Sequence, residues 1–231
     1  MLLSVIIPVF NEEKYIKTIL EKIKKIKNIN KEIIVINDGS NDDTLTILQK
    51  ECDGLVDEII NNEINKGKGH ACRLGINKAK GDIILIQDAD LEYNPENYYG
   101  LIEPILKKKT KVVYGSRILG DGHRTRPSTI DFKIRYLANI FLTSLSNFMN
   151  KQNLTDAHTC YKVFSADVVK NIDLEENGFC FCPEITAKIS KKNETILEVP
   201  IDYFGRTHKD GKKIKFTDGF RAIRSIIKYN M

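Results

Sequence analysis

Short apolar runs that break off abruptly in polar residues set the rhythm of the chain. Ser4–Phe10 (SVIIPVF), Glu32–Asn37 (EIIVIN) and Ile83–Ile86 (IILI) are rich in β-branched residues and do not alternate with polar ones. Runs of that kind predict strands covered on both faces, the habit of a parallel sheet. Between the first two, Ile16, Ile19, Leu20, Ile23 and Ile26 recur at spacings of three and four, which predicts a helix with its lysines turned outward. After the second, Ser40, Asn41, Asp42 and Asp43 supply cap and first-turn residues for a helix carrying Leu45, Leu48 and Cys52. Asp57–Ile60 is a short third strand, and Asn65–Gly69 (NKGKG) opens a helix of small residues, Ala71, Cys72, Gly75 and Ala79. Strands alternating with helices predict right-handed crossovers and an α/β sheet with helices on both faces.

Tyr93-Asn94-Pro95 starts a further helix, with proline at its first position. Lys111–Tyr114 (KVVY) is a strand leading into Gly115-Ser116-Arg117, and residues 120–129 have turn composition. Ile134, Leu137, Ala138, Phe141, Leu142, Leu145, Phe148 and Met149 trace a broad helical stripe. Core packing is its first explanation, and contact with a membrane or lipid tail its second. Cys160–Phe164 (CYKVF) is a strand, Asp167–Asn171 a short helix, and Pro183 begins a helix to about Lys191. Glu194–Tyr203 is the last strand, Arg206–Lys215 a strongly basic loop, and the closing helix places Phe216, Phe220, Ile223 and Ile227 on one side.

A chain of 231 residues fits one large domain or a domain with an appendage. Its five cysteines are odd in number and irregularly spaced, which predicts reduced thiols in a cytoplasmic protein. The opening MLLSVIIPVFNEE has no basic leader, and no run reaches the ~18 apolar residues of a spanning helix, so a soluble or peripheral protein is expected. A net charge of +5 gives nucleic acid little support as a partner; anionic small molecules or an anionic membrane surface suit it as well.

The candidate chemistry collects where the strands stop being apolar, since open α/β sheets bind ligands beyond the carboxyl ends of their strands. Ile83–Ile86 runs straight into Gln87, Asp88, Ala89 and Asp90. Were the chain still extended there, Asp88 and Asp90 would point the same way and could address one hard cation, leaving positions for phosphate oxygens. The NKGKG turn brings backbone N–H groups close to an anion at a helix N-terminus. It lacks the spacing of a Walker A loop, and no G-x-G-x-x-G follows the first strand.

In series, SVIIPVFNEE, EIIVINDGSNDDT, NKGKGHACRLGINKAKGDIILIQDADLE, VVYGSR, TDAHTCYKVF and YFGRTHKDGKKI resemble the inverting GT-A glycosyltransferases of family 2. Within that family they resemble the polyprenyl (dolichyl) phosphate mannosyl- and glucosyltransferases. The resemblance covers nearly the whole chain and implies a single GT-A (Rossmann-like) domain with a mostly parallel central sheet. Residues 1–118 would form a nucleotide-sugar-binding half, and residues 119–231 an acceptor-binding half with the basic loop and amphipathic helix. It implies that Pro8, Phe10, Glu12, Ile36 and Asp38 hold the base and ribose of the donor, with Lys68 and Ala89 also on the donor side. Asp88 and Asp90, with Glu92 as a further oxygen ligand, would hold Mg2+ or Mn2+, and Arg206 and Lys213 would close over the diphosphate. Arg117 would face an acceptor phosphate, with Arg124, Arg126 and Arg135 as further candidates. The implied partners are a nucleoside-diphosphate sugar (GDP-mannose or UDP-glucose), a polyprenyl phosphate and the cytoplasmic membrane surface, with a membrane-anchored partner subunit as one route to attachment.

Two departures bear on these expectations. Mannosyltransferases commonly read R-x-x-G-x-S-K, whereas here Arg206 is followed by four residues and then Gly211-Lys212-Lys213, which leaves guanosine and uridine donors both open. Many relatives also carry C-terminal membrane helices, and this sequence stops at its amphipathic helix. The acceptor decides whether a general base is needed. A lipid phosphate is already anionic, whereas a sugar hydroxyl requires a base, for which Asp156 and Glu184 are the candidates. His123, His158 and His208 stand isolated, and ordinary surface or hydrogen-bonding roles are expected of them.

Overall fold

The computed structural model describes residues 1–120, 130–206 and 216–231, and the backbone alone of residues 130–132 and 216. Among the described residues, seven strands are β1 (Leu3–Val9), β2 (Lys31–Asp38), β3 (Glu58–Asn62), β4 (Ile83–Ile86), β5 (Val112–Ser116), β6 (Lys162–Ser165) and β7 (Ile196–Pro200). The helices are α1 (Ile16–Lys25), α2 (Thr44–Glu51), α3 (Lys68–Lys78), α4 (Tyr98–Leu106), α5 (Ile130–Asn150), α6 (Ala166–Val169), α7 (Phe181–Lys191) and α8 (Phe216–Asn230). Asn94 accepts from the Glu96 N–H and caps a short 3-10 turn at Pro95–Asn97, so the helix foreseen from Tyr93 begins a turn later.

The strands form one sheet in the order β3-β2-β1-β4-β6-β5-β7. The IILI run is therefore the middle strand of seven. All pairings are parallel except those of β6, which runs antiparallel to both β4 and β5. Successive residues of β1 point to opposite faces. Leu3, Val5, Ile7 and Val9 pack with α1, α2 and α4, while Ile6 joins Ala71, Cys72 and Ile76 of α3 and Phe181 and Ile185 of α7 beneath the other face. Gly75 lets α3 lie directly on the sheet: a Cβ there would stand 2.3 Å from Ile6 Cγ2 and 2.9 Å from Ile36 Cδ1.

Ile36 shows one expectation corrected. Its side chain is fully buried under α3 and its backbone pairs with both β1 and β3, so it is core and has no side-chain contact to offer a nucleotide. For the stripe on α5 the first explanation, core packing, is corrected: the described residues of this helix that are buried are polar, and Leu142, Leu145 and Met149 are only half-buried. Thr143 accepts from the Ala157 N–H, Asn150 donates to Ser146, and Asn147 bonds both the N–H and the carbonyl of Leu154. Leu137 and Phe148 stand outside, Leu137 at 64% exposure, while Ile134 and Phe141, also exposed, line the cleft beyond the carboxyl ends of the strands. Among the described residues no helix is long and apolar enough to cross a membrane.

Candidate active site

Beyond the carboxyl ends of β1, β2 and β4 lies a cleft of about 760 Å³, a volume in the range of small-molecule sites. Pro8, Phe10, Glu12, Asp38, Lys68, Asp88, Ala89, Asp90, Glu92 and Arg206 all line it. The further wall is formed by Arg117, which follows β5, by Arg135, Ala138 and Phe141 of α5, and by Phe220 and Ile223 of α8. The structure thus brings together most of the residues singled out from the sequence. Arg124, Arg126, Lys213, His123 and His208 lie outside the described residues.

Asp88 and Asp90 reach the cleft by a different local geometry from the one expected. The chain is no longer extended: it turns at Ala89-Asp90, with Leu91 at φ 61° and the Glu92 N–H donating to Asp90 Oδ1 at 3.1 Å. The turn is closed by Asp90's own carboxylate, and both Asp88 and Asp90 still line the cleft. Each meets a protein cation. Lys68 Nζ lies 2.5 Å from Asp88 Oδ1 and 3.0 Å from Cys160 Sγ. Arg206 Nη2 lies 2.8 Å from Asp90 Oδ2, and its Nη1 lies 2.9 Å from Glu12 Oε2.

The electrostatics follow from burial. For Asp88, burial opposes the charge but Lys68 outweighs it, and the pKa falls below the carboxylate range. Asp90 goes the other way, pushed up by burial and then by the Asp88 and Glu92 charges, which Arg206 only partly offsets. Lys68 would lose its proton more readily through burial, yet the Asp88 carboxylate dominates and raises it.

Glu92 accepts from the Tyr203 hydroxyl at 2.8 Å through one oxygen and from the Arg206 N–H at 2.6 Å through the other. It anchors the segment carrying Arg206 while lining the cleft, so a place as a third metal ligand would compete with these two donors. Among the described residues no three histidine, cysteine or acidic side chains form a ready metal constellation. Two half-buried carboxylates with hard oxygens, in a neighbourhood where Asp90 is pushed up by burial and excess negative charge, still fit a hard divalent ion.

Asp38 organises the glycine-rich turn. Its carboxylate accepts from Gly67 N at 2.7 Å, Lys66 N at 3.1 Å and Asn62 Nδ2 at 2.8 Å, while it also faces the cleft. Gly67 sits at φ +100°, and a Cβ there would lie 2.4 Å from the Asn177 carbonyl oxygen, so only glycine brings α3 in at this angle.

Both candidate bases are engaged elsewhere. Asp156 is fully buried and accepts from Arg117 Nε at 2.6 Å, Nη2 at 2.7 Å and the backbone N–H at 3.1 Å, with Asn139 Nδ2 at 3.1 Å. Burial opposes its charge, but Arg117 overrides that and holds the carboxyl down at about 2. It fixes a guanidinium that also stacks 5.3 Å from the Tyr203 ring centroid. Glu184, also fully buried, accepts from the backbone N–H groups of Glu175 and Glu176 at 2.7 and 2.9 Å and from Lys188 at 2.7 Å. It ties down the loop beside α7.

The sequence reading missed Lys162 as a support of the site. Fully buried, its ammonium donates to the carbonyls of Ala157 and Thr159 at 2.9 and 2.8 Å and lies 3.7 Å from the Tyr114 ring centroid. A lysine inside the apolar CYKVF strand was the available signal, since such a cation must find acceptors. It shapes the 157–160 loop, which presents His158 and Cys160 to the cleft. Burial, then Lys162, lowers His158 to about 4, so its ring is neutral near pH 7.

Residues 4–173 match the family described as Glycosyl transferase family 2. A low-salt glycan biosynthesis hexosyltransferase of Haloferax volcanii is 28% identical over 228 residues, covering 97% of this chain and 53% of that protein, so the chain spans about half its length. A dolichyl-phosphate beta-glucosyltransferase of Trichomonas vaginalis is 26% identical over 243 residues, covering 98% of this chain and 72% of that one. Among solved structures, glucosyl-3-phosphoglycerate synthase from Mycobacterium tuberculosis in complex with Mn2+, UDP and phosphoglyceric acid superposes with a TM-score of 0.73 at 17% identity. That match covers 99% of this chain and 78% of the synthase, and it establishes the shared fold.

Proposed function

The chain belongs to glycosyl transferase family 2, and on that footing we propose that it moves a hexose, with inversion, from a nucleoside diphosphate to a polyprenyl phosphate at a membrane surface. The observation that carries this reading is the continuity of one cleft. It runs from the Asp88 and Asp90 carboxylates, past the Arg117 guanidinium, to an apolar wall made by Ile134, Phe141 and Phe220. Carboxylates and cations suit a metal-bound diphosphate, an arginine suits a phosphate, and an exposed apolar wall suits a prenyl chain. UDP-glucose and GDP-mannose are the candidate donors. The Trichomonas relative's lipid-phosphate acceptor and the UDP and Mn2+ of the synthase support the choice of acceptor and ligands.

In this reading residues 1–118 hold most of the donor, with Arg206 and Lys213 reaching its diphosphate from the second half, and residues 119–231 together with Arg117 hold the acceptor. Cleavage of the C1–O bond builds negative charge on the departing diphosphate, which Arg206 and Lys68 at the cleft would receive, with Lys213 proposed to join them from the sequence resemblance alone. Asp88 and Asp90 would hold Mg2+ or Mn2+, which supplies further charge neutralisation there. Arg117, oriented by Asp156, presents the acceptor phosphate to C1 from the side opposite the leaving group, with Arg135, Arg124 and Arg126 adding positive charge. The nucleophile is already an anion, in keeping with the engagement of both Asp156 and Glu184. Membrane contact would use the outer faces of α5 and α8, where Leu137, Phe141, Phe220 and Ile227 stand among Arg221, Arg224 and Lys228.

The test is incubation with radiolabelled UDP-glucose or GDP-mannose, Mn2+ and a polyprenyl phosphate in detergent. A chloroform-extractable labelled product is expected with one donor. Label transferred only to a glycan hydroxyl would move the reading to a glycan hexosyltransferase, and no transfer with any donor would overturn it.

A further inference from the structure

Asp88 and Asp90 are each in contact with a cation whose backbone is held fast. Lys68 opens α3, where Asp38 grips the preceding Lys66 and Gly67 N–H groups and Arg73 ties the helix to the Glu176 carbonyl and the Asn177 side chain. Arg206 is held through its N–H by Glu92. In both residues the side-chain cation is engaged by carboxylates of the cleft, Lys68 by Asp88 and Arg206 by Asp90 and Glu12. Four carboxylates, Glu12, Asp88, Asp90 and Glu92, share this end of the cleft with these two cations, and the Lys68 and Arg206 side chains are only 18% and 12% exposed. A dication arriving alone would have to displace both cations from the oxygens it needs, or lie beside them against like-charge repulsion that burial screens little.

We propose that Lys68 and Arg206 are exchangeable counter-ions: they neutralise Asp88 and Asp90 in the free protein and pass to the donor's diphosphate when metal and nucleotide enter together. The inference rests on the function proposed above and adds a binding order to it. Metal alone binds weakly, nucleotide alone binds weakly, and the metal–nucleotide complex binds well. A diphosphate supplies the anionic oxygens that the two side chains need in order to leave the carboxylates, so each ligand removes the obstacle to the other.

The test is Mn2+ titration followed by the electron paramagnetic resonance signal of the free ion, with and without UDP or GDP, in the wild type, Lys68→Met, Lys68→Arg and Arg206→Met. Circular dichroism melts identify the variants that fold. Losing one charge-assisted contact predicts a change of roughly tenfold. Lys68→Met and Arg206→Met should each bind Mn2+ alone about that much more tightly, and Mn2+ with nucleotide about that much more weakly, while Lys68→Arg stays near the wild type. That reversal of sign in one protein is not produced by general loss of structure. Unchanged or weakened binding of Mn2+ alone in the Met variants, with the nucleotide complex still formed by the wild type, would overturn the exchange and leave the functional reading intact. Failure of the wild type to bind Mn2+ with either nucleotide would overturn both.

Discussion

Replacing Asp156 by asparagine separates two roles that carboxylate could have. Asp156 receives three donors from Arg117 and one from Asn139 and has no exposure to solvent. Asparagine keeps the volume but removes the charge and turns an N–H2 group toward a guanidinium. Breaking one member of a buried ion pair costs about 3–5 kcal/mol, because the partner stays behind unneutralised. The pH dependence gives an independent measure. With a folded pKa of about 2 and an unfolded value near 3.9, the carboxylate contributes about 2.5 kcal/mol, fully present above the unfolded pKa and lost as pH falls through the folded one. Urea unfolding should therefore show the variant less stable by about 3 kcal/mol at pH 7, with the gap narrowing by roughly 1 kcal/mol at pH 3. In turnover, a displaced Arg117 should raise the KM for the acceptor phosphate with little change in the pH profile. A variant as stable as the wild type at pH 7 would refute the positioning role. So would unchanged stability with kcat alone reduced by about a hundredfold or more, the mark of a lost base.

Three further expectations follow from other parts of the molecule. His158, lowered to about 4 against an unfolded value near 6.5, contributes stability that is complete above about pH 6.5 and is lost as pH falls toward 4. His158→Gln should flatten the stability curve across that window, and an unchanged slope from urea midpoints would contradict this. Gly75→Ala forces a methyl group against Ile6 and Ile36 and should lower stability by about 1–3 kcal/mol with the urea m-value unchanged. The double variant Leu137→Ser, Phe141→Ser, on the exposed face of α5, should leave stability within about 0.5 kcal/mol. It should nevertheless reduce sedimentation with vesicles containing anionic lipid, and equal sedimentation would exclude that face.

The sheet was legible because its strands announce themselves. IILI and SVIIPVF carry no alternation, and a run that must be apolar on both sides belongs between two layers of helices. The direction of β6 was not legible, since CYKVF reads alike whichever way it runs. The Asp88/Asp90 pair was placed at the cleft by its position at the end of β4, but the local geometry was not legible: Leu91 at φ 61° and an aspartate-closed turn, which no alternation rule anticipates, carry the two there. Asp156 and Glu184 looked like bases because the sequence displays an acid and hides what faces it; Arg117 lies 39 residues from Asp156 in the chain. The first explanation of the α5 stripe, core packing, failed for a related reason. Helical periodicity identifies an apolar face without saying whether that face turns inward, and here hydrogen bonds from Thr143 and Asn147 draw the polar face onto the 154–157 segment.

The central claim is that Asp88 and Asp90 hold a divalent ion together with a nucleoside diphosphate. Thermal unfolding with UDP or GDP at a hundredfold excess over Kd, with and without Mn2+, tests it most directly in the wild type and in Asp90→Asn. Ligand binding at that level stabilises by about 2.7 kcal/mol, which for a chain of this size raises Tm by roughly 5–10 °C. The account predicts that rise for one nucleotide, only with Mn2+ present and only in the wild type; an equal rise without metal, or in Asp90→Asn, would contradict it.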